Sequence, residues 1–276
     1  MPGVSDTGPA ARRWSNGLEG WAIPAEILAA APESPWTFPT ELFASRADAS
    51  TDSLTASNRH ALHALPEGGS TLDVGCGAGA ASLPLAGKAR TLIGVDVSTD
   101  MLQAFEERAK RSGAEVVAIR GRWPDAAPDS PVADVVVCHH VFYNAPDLTS
   151  FAAALTDHAR RRVVVEVTPR HPQASLNDLW LQFHGLRRPE GPGVEDAVEV
   201  LRESGLDPAM ELWQPKIRGG FADLRDLVAW IRRRLCLTAD RDPEVDEAIS
   251  DQVIEANGLH TFAPVPVATL WWNGGA

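Results

Sequence analysis

The strongest constraint on this chain is an alternation that begins at Ser70. Short runs of aliphatic and β-branched residues lie at Thr71–Val74, Thr91–Val95, Glu115–Ile119, Val132–Val137 and Arg162–Val167. Between them are stretches with helical character: the alanine-rich Ala80–Ala89, then Thr99–Gly113 with Met101, Leu102, Phe105 and Ala109 on one face, Leu148–His158 and Leu176–Phe183. Short runs of this kind between amphipathic helices predict a parallel sheet buried on both faces. Right-handed crossovers then distribute the helices over both sides.

After Gly185 the alternation loosens. Glu195–Glu203 reads as a helix closed by Gly205, because glycine accepts the left-handed cap. Met210–Trp213 reads as a strand, Phe221–Leu235 as an amphipathic helix and Val245–Ala256 as another helix stopped near Gly258. Val265–Trp272 is a strand with Pro266 at its start or at an edge, since proline has no ladder donor. The predicted fold class is α/β: a Rossmann-like, doubly wound, mostly parallel sheet of about seven strands, the last antiparallel, with an N-terminal helical cap. Residues 1 to about 16 are rich in Gly, Pro, Ala and Ser and are expected to fray. A Trp- and Pro-rich segment follows, with Trp21, Ile27, Leu28 and Trp36, and holds a short helix ended by Pro32 and Pro35. Phe43 to Leu65 is a second helical region with Leu54, Leu62 and Leu65 as core candidates. The division is thus residues 1–65 as tail and cap and 66–276 as main domain with C-terminal helical additions, within a length that suits one large α/β unit.

The sharpest local motif is Leu72-Asp73-Val74-Gly75-Cys76-Gly77-Ala78-Gly79, between the first run and the alanine-rich stretch. Glycines there allow a tight turn and close approach of a ligand to the backbone, and a following helix would add oriented N–H groups. Gly75, Gly77 and Ala80 fit a dinucleotide fingerprint. Asp73, however, sits where a pyrophosphate would be repelled and an ammonium group attracted. Asp96 ends the second run about twenty residues past the first glycine, the position from which an acid bonds ribose hydroxyls. Ser98 or Thr99 then caps the next helix.

LDVGCGAG followed by GVDVSTDML resembles the class I S-adenosylmethionine (SAM)-dependent methyltransferases, in particular the small-molecule type, over about Ser70 to Pro169. The resemblance implies SAM as cofactor and S-adenosylhomocysteine as product. It implies that Asp73, Gly75, Cys76, Gly77 and Gly79 hold the amino-acid part and that Asp96, Val97 and Met101 lie on the ribose side. The segment Gly121-Arg122-Trp123 would face adenine. Arg122 stands where the family often has an acid, so Trp123 offers an aromatic face and Asp125 a substitute carboxylate. Cys138 and His139 would line the methionine part, and Arg46 of the cap is a candidate partner for the SAM carboxylate.

The fourth run ends in Cys138-His139-His140-Val141-Phe142-Tyr143. Ligands of open α/β sheets lie at the carboxyl ends of strands, so His139, His140 and Tyr143 are the candidate catalytic residues. If the strand continues, the two histidines point opposite ways and one faces the acceptor. Histidine accepts protons near neutral pH. The same segment replaces the Asn/Asp-Pro-Pro-aromatic motif of the family's amine-directed members. With a net charge of -12, this disfavours nucleic acid and points to a small-molecule methyl acceptor. A metal site from His139, His140, His171, His184 and Glu166 is not expected, because no helical histidine pair is present. Trp180, Phe183 and His184 are further candidates for the acceptor pocket. Three scattered cysteines, no signal-like N-terminus and no membrane-length apolar segment lead to a cytoplasmic expectation. Two alternatives stay open: an NAD(P)-dependent oxidoreductase using the same turn, and a SAM-binding protein without turnover.

Overall fold

The computed structural model describes residues 8–36, 47, 48, 50, 53–217 and 219–276. Seven strands form the main sheet: β1 (Gly69–Val74), β2 (Ala89–Asp96), β3 (Glu115–Arg120), β4 (Ala133–His139), β5 (Ala159–Val167), β6 (Ala209–Trp213) and, at the C-terminus, β9 (Val267–Asn273). Their order is β3-β2-β1-β4-β5-β9-β6. The first five are mutually parallel, and β9 runs antiparallel to both neighbours. The order reverses between β1 and β4, and ligands of such sheets settle in the crevice opened at a reversal. Pro266 immediately precedes β9, where its missing donor costs no ladder bond.

Successive residues of the central strands feed opposite layers. Val136, Val163 and Val165 join one core with Trp14, Phe142, Phe151 and Leu201. Val135, Val137 and Val164 join the other with Leu65, Leu92 and Phe105. The first layer holds helices α1 (Pro9–Glu19), α5 (Leu148–Asp157) and α7 (Val194–Glu203), and the second α3 (Ala56–Ala64) and α4 (Thr99–Arg111). A third core gathers Ile23, which leads into α2 (Ala25–Ala30), with α6 (Asn177–His184), α8 (Leu224–Arg234) and α9 (Asp242–Ile249). No helix among the described residues is long and apolar enough to cross a membrane.

Several elements differ from the expectations above. Residues 9–16 belong to a docked helix and not to a frayed tail. Pro9 opens α1, a position that needs no N–H, and the Glu203 carboxylate accepts from the N–H groups of Ala10 and Ala11, both at 3.0 Å. Trp14 is fully buried and donates to the Ala145 carbonyl at 2.8 Å. The expected helix over Val245–Ala256 stops at Ile249. Its remainder is β7 (Val253–Ala256), paired with β8 (Leu259–Phe262) around Asn257-Gly258. Both turn residues have positive φ, 55° and 73°, as a two-residue hairpin turn demands. The alanine-rich stretch after the glycine turn forms only turns and one short 3-10 segment, Leu83–Leu85. Pro84 inside it and Gly87 behind it leave too little chain for a helix. Leu65 and Leu62 pack as expected, whereas Leu54 is exposed. Arg46, Phe38 and Phe43 lie outside the described residues.

Candidate active site

At the end of β1 the chain turns through Gly75, Gly77 and Gly79, with φ of 70°, 50° and 97°, a region that side chains disfavour. The Gly75 and Cys76 N–H groups donate to the Val95 carbonyl at 2.8 and 3.1 Å, tying the turn to β2. A Cβ on Gly75 would lie 2.4 Å from Val141, whereas one on Gly77 would meet nothing within 4 Å. One glycine therefore serves packing and the other leaves an open face. Asp96 braces the turn: its carboxylate accepts from the N–H of Gly77 and of Ser98, both at 2.9 Å. The Asp96 carbonyl accepts from Gly121 N–H at 3.0 Å, which brings the third-strand loop to the same place. Met101 is half-buried in the first turn of α4, capped by Ser98, and Val97 is an exposed rim residue.

Asp73 is 1% exposed. Its Oδ2 accepts from the Ser82 hydroxyl at 2.6 Å, and its Oδ1 has no partner among the described residues. Burial pushes its pKa up to about 7, the Ser82 bond opposing and the charge of Asp96 adding to the rise. A buried carboxylate oxygen without a donor, beside an open glycine, suits an incoming ammonium group. The donors the turn offers are backbone N–H groups of successive turns, because no α-helix follows it. Cys76 and Cys138 are buried thiols whose pKa burial raises well above the ordinary value, so they wall the site as inert apolar groups.

Trp123 does not offer a face to adenine. It is buried, its indole N–H donates to the Phe151 carbonyl at 3.3 Å, and its ring meets His158 edge-on. Arg122 is exposed.

Beyond the reversal of strand order lies a second constellation. β4 and β5 pair in register so that His139 stands opposite Glu166. The strand then ends, and His140 takes φ 61° while its N–H donates to the Glu166 carbonyl at 2.8 Å. The two imidazoles therefore do not diverge, as a continuing strand would require. His139 Nδ1 lies 3.5 Å and His140 Nε2 3.4 Å from the same oxygen, Glu166 Oε2. Burial would raise the Glu166 pKa, but His139 and His140 outweigh it and hold the group down at about 2. Burial lowers the His139 pKa against the opposing pull of Glu166. His139 Nε2 is buried and has no partner among the described residues.

Tyr143 lies nearby, but its hydroxyl is spent on Thr168. It accepts from the Thr168 N–H at 2.8 Å and bonds the Thr168 hydroxyl at 2.7 Å, and burial raises its pKa. His171 and His184 do not join the pair. His171 stacks on Trp21, and His184 bonds the Leu235 carbonyl. Among the described residues no three His, Cys, Asp or Glu side chains are arranged to hold a metal.

A family profile described as "Methyltransferase domain" matches residues 71–162, the stretch that runs from the glycine turn through β4 into β5. An uncharacterized protein of Haemophilus influenzae is 31% identical over 206 residues, spanning 73% of this chain and 75% of that one. The chain belongs to the class I SAM-dependent methyltransferases. A ubiquinone biosynthesis O-methyltransferase of Methylococcus capsulatus is 36% identical over 100 residues, but this covers only 42% of that protein. The solved structure of the YcgJ protein from Bacillus subtilis shares the fold, with a TM-score of 0.50, 18% identity and coverage of 79% of this chain and 99% of that one. The cofactor of this methyltransferase is SAM, and its reaction is methyl transfer.

One residue of the candidate site stands out only in three dimensions. Ser82, which holds Asp73, carries no sequence signal beyond lying nine residues downstream. Glu166 carries a weak one, as the single acid in the apolar run Val163–Val167. Behind Glu166, Ser57 of α3 bonds Thr269 of β9 at 2.7 Å, and Asn58 donates to the Ala81 carbonyl at 3.2 Å. Helix α3 thus spans from the acid to the segment behind the glycine turn.

Proposed function

We propose that the acceptor is a small molecule whose nucleophilic atom carries a proton, and that the His139–Glu166 pair removes it, with His140 completing the carboxylate's surroundings. The observation that carries this reading is the convergence of both imidazoles on Glu166 Oε2. A carboxylate facing Nδ1 favours the tautomer with its proton there and leaves Nε2 free to accept. When bound, SAM supplies an electrophilic methyl group and leaves as S-adenosylhomocysteine. The residues around Asp73, Gly77 and Asp96 would hold it, with the ammonium on Asp73 and the ribose on Asp96. The proton of the acceptor passes to His139 Nε2, and Glu166 stabilises the imidazolium that forms. Burial of the pair excludes water from the sulfonium and favours in-line approach.

The acidic net charge and the His139-His140-Val141-Phe142 segment support a small acceptor over nucleic acid. The Methylococcus relative is by name an O-methyltransferase, which supports an oxygen nucleophile. Three buried, unpaired cysteines support a reducing, cytoplasmic setting. An oxidoreductase would need a hydride-site constellation, such as a Tyr-x-x-x-Lys pair, and the hydroxyl of the chain's one tyrosine is engaged with Thr168.

The test is S-adenosylhomocysteine release with a panel of phenols, catechols, amines and thiols. His139→Ala and Glu166→Gln are expected to lower turnover at least a hundredfold with SAM affinity within about threefold. Full turnover in both variants would end the proton-transfer role.

A further inference from the structure

Among the described residues, Arg188 is a cation without a counter-charge. It is 8% exposed, and its guanidinium lies over two indoles, 5.2 Å from the centroid of Trp21 and 4.8 Å from that of Trp180. One nitrogen, Nη2, donates to the Trp21 carbonyl. The other two, Nε and Nη1, are buried with no partner among the described residues. Among the described residues, the ionisable groups coupled to it are Cys236, a buried thiol whose pKa burial raises, and His171. The contrast with Arg232, equally buried in the same third core, is direct. That guanidinium has Asp242 at 2.8 Å and Glu33 at 3.1 Å. A buried charge is ordinarily paired, because desolvation without compensation is costly. Two ring faces offset part of that cost but leave the in-plane N–H groups unused.

Its position relates it to the proposed acceptor site. Trp21 stacks on His171 at 3.9 Å and 16°, and His171 meets Tyr143 edge-on at 5.1 Å. Tyr143 in turn is bonded to Thr168, two residues past Glu166. A continuous row of three rings, Trp21, His171 and Tyr143, thus links Arg188 to the segment that follows Glu166. Next to it, burial and the charge of Arg188 hold the His171 pKa down at about 4, so that ring adds no charge of its own.

We propose that Arg188 is an anion-binding residue of the acceptor site, and that the acceptor carries a carboxylate or phosphate group. The substrate-class assignment rests on the acceptor reading given above, whereas the anion site itself does not. The two free nitrogens are enclosed, so the anion reaches them as the Trp21 ring leaves its stack on His171 and its bond to the Gly191 carbonyl (2.6 Å). Binding must then change the surroundings of Trp21 as well as of Arg188.

The experiment uses the full chain loaded with S-adenosylhomocysteine and titrates benzoate, phenyl phosphate and the neutral isostere benzamide. At least one anion is expected to bind tenfold or more tightly than benzamide, and the stronger of the two identifies carboxylate or phosphate. It should also shift the Arg188 Nε–H and Trp21 indole N–H resonances with the same saturation curve. Arg188→Met should erase the preference and leave S-adenosylhomocysteine affinity unchanged. Equal binding of all three probes, or a preference that survives in Arg188→Met, overturns the proposal. If that variant does not fold, the wild-type resonances decide: no saturable shift at Arg188 refutes it. Loss of turnover in His139→Ala without any anion preference removes Arg188 alone, and an anion preference with full turnover in that variant removes the proton-transfer role alone.

Discussion

Asp73 makes the cofactor site sensitive to pH in a direction that can be worked out. The unfolded chain ionises this group near 3.8 and the folded one near 7. Below pH 3.8 both states hold the proton, and folding carries no penalty. Between 3.8 and 7 the unfolded chain sheds it while the folded chain keeps it, so stability falls as pH rises. Above 7 both are ionised and the penalty is complete. At ~1.36 kcal/mol per pKa unit the rise corresponds to about 4 kcal/mol. An ammonium group at the unpartnered Oδ1 favours the carboxylate, so SAM binding should release a proton between pH 5 and 7. Affinity should then rise with pH over that window, by up to about tenfold per unit. Asp73→Asn removes the penalty. Without ligand, the variant should melt higher than wild type at pH 8 and about equally at pH 4. It should also bind SAM at least about tenfold more weakly, with a flat pH profile. Calorimetric titration in buffers of different ionisation enthalpy reads the released proton, and thermal melts read the stability difference. A stability difference that stays constant from pH 4 to 8, together with no proton release, would refute the reasoning.

Two other perturbations separate ligand binding from packing. Asp96→Ala removes a charged acceptor from two backbone N–H groups and should weaken SAM binding about 10- to 100-fold, and unchanged affinity by calorimetry would remove the ribose assignment. Gly75→Ala combines a left-handed backbone with a contact of 2.4 Å to Val141. It should destabilise by about 2–5 kcal/mol in a denaturant melt, with part recovered by adding Val141→Ala. No recovery would assign the whole cost to the backbone.

The sheet was legible in the sequence because its signal is local and redundant. The run Val135–Cys138 reads as a strand buried on both faces whatever it packs against, and its four residues are indeed enclosed. Pro266 limits where β9 can begin. The errors arose where a local signal competed with another. Val245 to Ile249 has helical character, and extending it hid the hairpin signal Val253-Ile254-Glu255-Ala256-Asn257-Gly258. In the alanine-rich stretch composition outweighed Pro84. Residues 9–16 read as a tail because Gly, Pro and Ala carry little burial signal, yet one indole, Trp14, docks the segment. Trp123 and Tyr143 show the same limit within the site: their side chains allow either a ligand contact or a structural bond, and only their neighbours decide.

What the sequence by itself determined was the glycine turn and the class of chemistry. The glycines, Asp73 and Asp96 act through backbone conformation and short-range geometry, so their spacing along the chain is enough to place them. What only the tertiary structure decided was the acceptor side. Glu166 meets His139 through the β4–β5 register, and His140 joins them through a positive φ that no neighbour in sequence dictates. The surroundings of Arg188 depend on residues as distant as Trp21 and Trp180. Contacts of this kind are made between segments far apart in the chain, and their energies depend on burial, which exists only once the chain has folded.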